Sequence, residues 1–238
     1  MIFMYDPIEL SQTVKRIVTK DHKKKYYRFR PTRFYGGIST ADTVGCNLRC
    51  VFCWSSHSVW NAKRTGSFYS SEEVVKKLQD IADKKGFSHL RVSGGEPTIG
   101  KDHLLQVLNH LDPRFLFILE TNGVLIGCDK EYARDLSCFP NLHVRVCLKG
   151  CTKEEFSLLT GAKEKGFEYQ LQSLQHLKQS QVSFSIAVAS PKKDKQPLYQ
   201  RLQLLGFGNS MIEEEPLKLY PHVKKRLQKQ GLLDMFQN

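Results

Sequence analysis

Three cysteines in one short segment have the most specific chemical pattern in this chain. Cys46, Cys50 and Cys53 are separated by three and then two residues and directly follow a strand-like run. Three clustered thiolates can hold three irons of a [4Fe-4S] cluster, and because no fourth cysteine lies nearby, one iron is left for an outside ligand. This arrangement favours chemistry at the cluster over storage of the cluster.

A second segment, Ser93–Pro97, reads Ser-Gly-Gly-Glu-Pro and lies about 40 residues downstream. Its two glycines let the backbone approach a ligand closely, and Glu96 offers a carboxylate to an ammonium group. Together with the Cys-x-x-x-Cys-x-aromatic-Cys pattern, this loop resembles the signature of the radical S-adenosylmethionine (SAM) superfamily. Two motifs in the correct order are far more specific than either motif alone.

The resemblance implies both cofactors and a function. A [4Fe-4S] cluster binds the amino and carboxylate groups of SAM, and the reduced cluster cleaves SAM to methionine and a 5′-deoxyadenosyl radical. The radical then abstracts hydrogen from a substrate that the sequence does not identify. The cluster ligands implied are Cys46, Cys50 and Cys53. Phe52 is expected against the adenine, and the methionine end is expected at Gly94, Gly95, Glu96 and Pro97.

Two further matches are to particular groups of these enzymes. The segment Glu120–Gly123 is similar to the end of the third strand in pyruvate formate-lyase activating enzymes and in deazaguanine-forming enzymes of queuosine biosynthesis, which implies Glu120 and Asn122 as cofactor-binding residues. Lys149 occupies the place of the lysine in an aspartate-x-lysine motif of activating enzymes and is implied to meet the cofactor carboxylate. The aspartate position is Cys147 here. The general resemblance spans roughly residues 36–220.

Two alternatives to an activating-enzyme-like function remain open. His57 lies four residues past Cys53, at a spacing that suits a zinc site with the three cysteines, so the chain could be a metal-binding module without catalysis. A radical SAM enzyme of RNA modification is the second alternative.

The four remaining cysteines are expected mainly to pack in the interior. Cys128 and Cys138 are interpreted as small buried hydrophobic residues. Cys147 and Cys151 flank Lys149 at the end of a predicted strand, where packing is favoured but a thiol in the radical pathway or a second metal ligand is the alternative. They are the only candidates for catalytic residues, which are otherwise unknown.

Strand patterns alternate with helical patterns through the middle of the chain. This alternation predicts parallel pairing in an α/β fold, a partial (β/α)6 TIM-like barrel with its chemistry at the carboxyl ends of the strands. The six predicted strands are Gly36–Val44, His89–Ser93, Phe115–Glu120, Leu142–Leu148, Val182–Ala189 and Ser210–Glu214.

The formal net charge of +12 resides mainly at the two ends of the 238-residue chain. Residues 1–35 contain nine Lys/Arg against three Asp/Glu, and residues 215–238 contain five against two. We therefore predict a basic N-terminal extension (1–35), a core domain (36–214) and a basic C-terminal tail (215–238). The expected partners are an acidic electron donor, flavodoxin or ferredoxin, and a protein or RNA substrate.

The N-terminal extension contains a predicted helix, Pro7–Val18, and then aromatic residues interleaved with basic ones. Such a mixture can stack on bases while neutralising phosphates, and the residues concerned are Lys23, Lys24, Lys25, Tyr26, Tyr27 and Phe29. The favoured interpretation, however, is a solvated amphipathic extension that packs its aromatic residues on the core domain.

The longest apolar run, Phe115–Leu119, is far too short to span a bilayer, so no membrane association is expected. Seven cysteines, three of them in the cluster motif, argue against a disulfide framework and for a reducing compartment. The chain is expected to be cytoplasmic and, because of the exposed cluster, to work under anaerobic conditions.

Overall fold

A computed structural model describes residues 4–237. The strands of these residues form one nine-stranded sheet. They are β1 (Thr19–Lys20), β2 (Lys23–Thr32), β3 (Ile38–Thr43), β4 (Ser67–Tyr69), β5 (His89–Gly94), β6 (Leu116–Thr121), β7 (Leu142–Lys149), β8 (Ser183–Ala189) and β9 (Ile212–Glu214).

Residues 4–237 contain ten α-helices. They are α1 (Pro7–Val18), α2 (Ser56–Trp60), α3 (Ser71–Lys85), α4 (Lys101–Asn109), α5 (Val124–Cys128), α6 (Lys130–Leu136), α7 (Lys153–Thr160), α8 (Lys165–Gln179), α9 (Gln196–Leu204) and α10 (Pro221–Lys229). Those from α3 to α9 lie between successive strands. Helix α3 begins with a reciprocal capping box between Ser70 and Glu73, as its sequence predicts, and ends at Gly86. Within residues 4–237, every helix is too short or too polar to cross a membrane.

The predicted partial (β/α)6 barrel is confirmed. Strands β3, β5, β6, β7, β8 and β9 pair in that order and are all parallel. Each begins and ends within two residues of the predicted strand. Among residues 4–237 no pairing joins β9 back to β1, so the sheet stays open.

The two faces of the parallel strands differ in chemistry because side chains alternate along a strand. Leu90, Val92 and Val144 lie in the main apolar core, on the face that the helices cover. The residues that alternate with them are polar, as Arg91 and Arg145 show. The motif loops begin at the carboxyl ends of these strands, beside the polar face.

The basic N-terminal segment contributes a strand that the sequence did not predict. Strand β2 pairs antiparallel with β3, from Tyr26 opposite Thr43 to Thr32 opposite Ile38. The side chains of Lys24, Lys25 and Tyr26 are all buried, and Tyr26 packs in the main core.

The favoured interpretation, in which aromatic residues of this segment pack on the core domain, is confirmed for Tyr26, and the alternative contact with RNA is not available to Lys24, Lys25 and Tyr26. Both ammonium groups can be buried because backbone carbonyls accept their hydrogen bonds. Phe29 is half-buried against the main core. The division of the chain at residues 35 and 214 remains a prediction, although β2 shares its sheet with β3.

The C-terminal tail lies on the outside of the cysteine segment. Val223 and Leu227 of α10 are fully buried in a small apolar cluster with Val51 and Leu159. The other face of the helix is exposed and carries Lys224, Lys225 and Lys229.

Candidate functional site

The motif loops meet because each follows a parallel strand at the same edge of the sheet. The cysteine loop follows β3 and the Gly-Gly-Glu-Pro loop follows β5. Backbone hydrogen bonds join them: Gly95 N–H donates to Thr43 O at 3.0 Å, and Glu96 N–H donates to Gly45 O at 2.7 Å. A Cβ on Gly95 would lie 2.0 Å from Gly45 O, so only glycine permits this approach.

The Glu96 carboxylate is buried and engaged on both oxygens. Oε1 accepts hydrogen bonds from Thr98 N–H at 3.0 Å, Thr98 Oγ1 at 2.6 Å and Thr121 Oγ1 at 2.7 Å. Oε2 accepts from Asn122 N–H at 2.9 Å. A carboxylate offers about four lone-pair sites. These contacts fasten the loop after β5 to the end of β6, and the contact of this carboxylate with the methionine ammonium stays a prediction.

Asn122 links the end of β6 to the cysteine loop. Its Nδ2 donates to Asn47 Oδ1 at 2.8 Å and lies 3.7 Å from Cys46 Sγ. The orientation of the Asn122 amide is fixed because its Oδ1 accepts from Val124 N–H at 3.0 Å. Asn47 must consequently present oxygen to Asn122. Its own Nδ2 is buried without a hydrogen-bond partner among residues 4–237.

Burial raises the pKa of all three motif thiols. The pKa of Cys46 rises to about 12, first through burial and then through the charge of Glu96. Burial also raises the pKa of Cys50; Lys149 opposes this shift, while the charges of Cys53 and Cys46 add to it. Burial raises the pKa of Cys53 as well. Thiols whose ionisation is opposed by burial and by the charge of neighbouring thiolates become thiolates when a metal supplies positive charge, so these residues and the unpaired Asn47 amide fit a bound cluster.

In residues 4–237, no three His, Cys, Asp or Glu side chains are grouped to hold a single metal ion. A zinc site of the three cysteines with His57 is therefore not assembled in this part of the chain. Ligands of three different irons do not converge on one point, so a cluster site is compatible with this finding.

Phe52, within the cysteine loop, is half-buried and packs against the C-terminal tail. Its ring centroid is 6.1 Å from that of Phe236. The tail also contacts the loop backbone, because Arg226 donates from Nε to Val51 O and from Nη2 to Cys53 O, both at 2.6 Å. Sequence reasoning missed Arg226, since nothing in a basic tail distinguishes one arginine that binds the loop from its exposed neighbours.

Glu120 lies on the polar face of the sheet, two residues before Asn122. Its carboxylate accepts hydrogen bonds from Arg91 Nη1 at 3.0 Å and Ser93 Oγ at 2.7 Å. Tyr35 OH donates to it at 3.4 Å. Glu120 is thus paired with β5, and only Asn122 of the two predicted residues contacts the cysteine loop.

Lys149 is the last residue of β7 and lies near Cys147 and Cys50. Its burial lowers the pKa of the ammonium, but the charges of Cys147 and Cys50 outweigh burial, and the net direction is upward. Cys147 packs with Phe52 in a small cluster beside the site, and Cys151 is buried in the main core. The roles predicted for Lys149, Cys147 and Cys151 stay predictions.

The prediction that Cys128 and Cys138 are buried is wrong. Both side chains are exposed. Cys128 is the last residue of α5, and Cys138 lies just beyond the end of α6.

Comparison with known proteins agrees with this arrangement. A sequence model of the radical SAM superfamily matches residues 41–205. The chain therefore belongs to the radical SAM superfamily, whose enzymes bind a [4Fe-4S] cluster and SAM.

Individual relatives are distant. The chain is 30% identical over 128 residues to GTP 3′,8-cyclase of Thermodesulfovibrio yellowstonii, a match that covers 53% of this chain and 38% of that protein. The chain thus spans less than half the length of this curated relative.

Two solved structures share the fold. One is spore photoproduct lyase complexed with a dinucleoside spore photoproduct, with a TM-score of 0.59, 10% identity and coverage of 86% of this chain and 63% of that one. The other is Streptococcus suis SuiB bound to SAM, with a TM-score of 0.57, 15% identity and coverage of 82% and 46%.

Proposed function

We propose that this chain is a radical SAM enzyme in which Cys46, Cys50 and Cys53 ligate a [4Fe-4S] cluster. The observation that supports this most strongly is the direct backbone connection of two motif loops, from Glu96 N–H to Gly45 O, one residue before the first cysteine. When bound and reduced, the cluster supplies one electron to the sulfonium of SAM, whose cleavage yields methionine and a 5′-deoxyadenosyl radical.

The residues of the chain would hold and orient these groups. Phe52 would provide an apolar surface for the adenine, and Lys149 would pair with the cofactor carboxylate. Asn122 would keep Asn47 and Cys46 in register with the end of β6 through its two side-chain contacts.

We assign the backbone of Gly95, beside the Glu96 carboxylate, to the methionine ammonium. In the buried part of this loop, the carbonyls of Glu96 and Pro97 accept from Lys24, and the Thr98 carbonyl accepts from Tyr132 OH. The Gly95 carbonyl accepts no hydrogen bond from residues 4–237. It lies in the half-buried part of the loop, so it is the acceptor that remains for an ammonium donor.

The substrate remains unidentified, and hydrogen abstraction of the activating-enzyme type stays a proposal. The polar face below the site favours a substrate with hydrogen-bonding groups over an apolar one. Arg145 on β7 is nearly buried there and donates to Glu213 and Glu215.

The exposed side of α10 supports an acidic electron donor as partner. Lys224, Lys225 and Lys229 project from a helix whose Arg226 binds the backbone of Cys53. A negatively charged donor attracted to these lysines would be brought close to the cluster loop. RNA binding through the N-terminal segment is disfavoured by the buried lysines of β2.

Anaerobic reconstitution followed by incubation with SAM and a strong reductant tests the function. We expect 5′-deoxyadenosine and methionine in equal amounts, formed slowly without substrate. Replacement of each motif cysteine by alanine should abolish both cluster and cleavage, whereas Cys128→Ala and Cys138→Ala serve as matched controls with unchanged iron and sulfide. Purification with zinc and no deoxyadenosine would overturn the proposal.

A further inference from the structure

Lys24 is a buried lysine that bonds directly to the Gly-Gly-Glu-Pro loop. Its side chain is 1% exposed. The Nζ atom donates to Pro97 O at 2.6 Å, to Glu96 O at 3.3 Å and to Ile99 O. Three carbonyls of one short loop therefore converge on one ammonium group, which has three N–H donors to offer.

The adjacent lysine is buried in the same strand but binds elsewhere. Lys25 is 7% exposed, and its Nζ donates to Ala62 O and Lys63 O, both at 2.9 Å. Both lysines thus stabilise backbone carbonyls, but only Lys24 contacts the loop assigned to SAM. The pair provides a comparison between a buried lysine at the site and one beside it.

The convergence on Lys24 determines which loop carbonyl stays available. The ammonium binds the carbonyls of Glu96, Pro97 and Ile99, whereas the Gly95 carbonyl accepts no hydrogen bond from residues 4–237. Without a cation at this position, the Pro97 and Ile99 carbonyls would lose this partner, and the Glu96 carbonyl would keep only the hydrogen bond from Ile99 N–H at 3.3 Å, so the loop would have to rearrange to satisfy them.

We propose that Lys24 is a positioning residue for SAM, whose ammonium group holds the loop after β5 so that the Gly94–Gly95 backbone can receive the methionine end of the cofactor. This inference rests on the proposed function. Burial lowers the pKa of Lys24 to about 7, against the charges of Glu96 and Cys46, which favour the charged form.

Lys24→Met and Lys25→Met, prepared as full-length reconstituted proteins, test the proposal. The measurements are iron and sulfide content, the midpoint of urea unfolding, and the dissociation constant of SAM from its effect on the EPR signal of the reduced cluster. We expect both variants to lose stability. Lys24→Met should keep the cluster but bind SAM at least about tenfold more weakly, the order expected for loss of one charge-assisted hydrogen bond. Lys25→Met should bind SAM within twofold of wild type.

Equal SAM affinities in the two variants, or loss of the cluster together with SAM binding in Lys24→Met, would overturn the proposal. If Lys24→Met does not fold, Lys24→Gln retains one donor group and should show an intermediate affinity; wild-type affinity in that variant would overturn the proposal as well.

Amide hydrogen exchange separates this inference from the proposed function. Exchange of the Thr98 and Ile99 amides should be faster in the Lys24 variant than in the Lys25 variant, whether or not SAM binds. If wild type bound no SAM, the proposed function would fail, whereas equal exchange at these two amides would contradict the role of Lys24 in loop order.

Discussion

The two basic ends of this chain are similar in composition and opposite in placement. The N-terminal segment contributes Lys24 and Lys25 to the interior, through a strand that completes one side of the sheet. The C-terminal tail buries Val223 and leaves Lys224 and Lys225 in solvent. Charge in a sequence therefore does not tell where the charged groups lie. What decides is whether neighbouring segments offer carbonyls in the interior or only water at the surface.

Deletion of each end should give the largest contrast. Removing residues 1–30 takes away most of β2 and the core residue Tyr26, whose loss alone should cost about 3–5 kcal/mol by analogy with other buried aromatic residues. Because a domain is stable by only about 5–15 kcal/mol, we expect no cooperative unfolding transition by circular dichroism. Removing residues 216–238 should leave a folded protein with a lower thermal midpoint. A cooperative, wild-type-like melt after the N-terminal deletion would contradict this difference.

Glu96→Gln should have the next largest effect, since it alters the loop that Lys24 holds. An amide nitrogen would face the N–H and O–H donors that now converge on the carboxylate, which should cost about 1–3 kcal/mol in urea unfolding. Glu214→Gln is the control, because that side chain is 61% exposed where it pairs with Lys195 and should change stability little. Equal losses in the two variants would show that the network around Glu96 contributes less than its geometry indicates.

The pH dependence of stability tests the packing of the N-terminal segment, through His103. Burial lowers its pKa to about 4, and its two ring nitrogens contact Tyr26 OH at 3.1 Å and His22 O at 2.9 Å. The folded state then binds fewer protons than the unfolded state between pH 4 and the ordinary value near 6.5, so stability should fall as the pH falls through this window, by about 2–3 kcal/mol. His103→Gln should flatten that part of the stability profile. Parallel profiles for wild type and variant would refute the assignment.

The smallest effect on stability should come from the tail. Lys224→Glu combined with Lys225→Glu should change the free energy of unfolding by less than about 0.5 kcal/mol, since both side chains are exposed. Reduction of the cluster by an acidic flavodoxin should nevertheless slow, and less so as salt rises. Lys84→Glu with Lys85→Glu, at the exposed end of α3, is the matched control. Equal slowing by both pairs would indicate an effect of net charge alone.

Much of the fold is predictable because the six parallel strands are rich in apolar and β-branched residues and are separated by helical patterns. The order of the motif loops follows from those strands. Strand β2 was missed because lysines are rarely buried. No local pattern in the sequence indicates that the carbonyls of Glu96 and Ile99 accept hydrogen bonds from Lys24. The hydrogen bonds around the Glu96 carboxylate were missed for a similar reason, since its partners Thr121 and Asn122 lie at the end of another strand.

Part of the site is predictable from the sequence. Asn47 lies inside the cysteine motif, so its proximity to Cys46 was fixed by the sequence. Its hydrogen bond to Asn122, however, depends on the adjacent placement of β3, β5 and β6, which only the assembled sheet provides. The contact of Arg226 with the cysteine loop spans more than 170 residues of chain and has no local signal.

The EPR spectrum of the anaerobically reconstituted and reduced protein, recorded with and without SAM, tests the central claim most directly. If Cys46, Cys50 and Cys53 leave one iron of a [4Fe-4S] cluster to the cofactor, the reduced protein should show a cluster signal that changes on addition of SAM. The signal should be absent after Cys50→Ala and retained after Cys128→Ala. A protein that binds no iron, or a cluster signal that SAM leaves unaltered, would contradict the assignment.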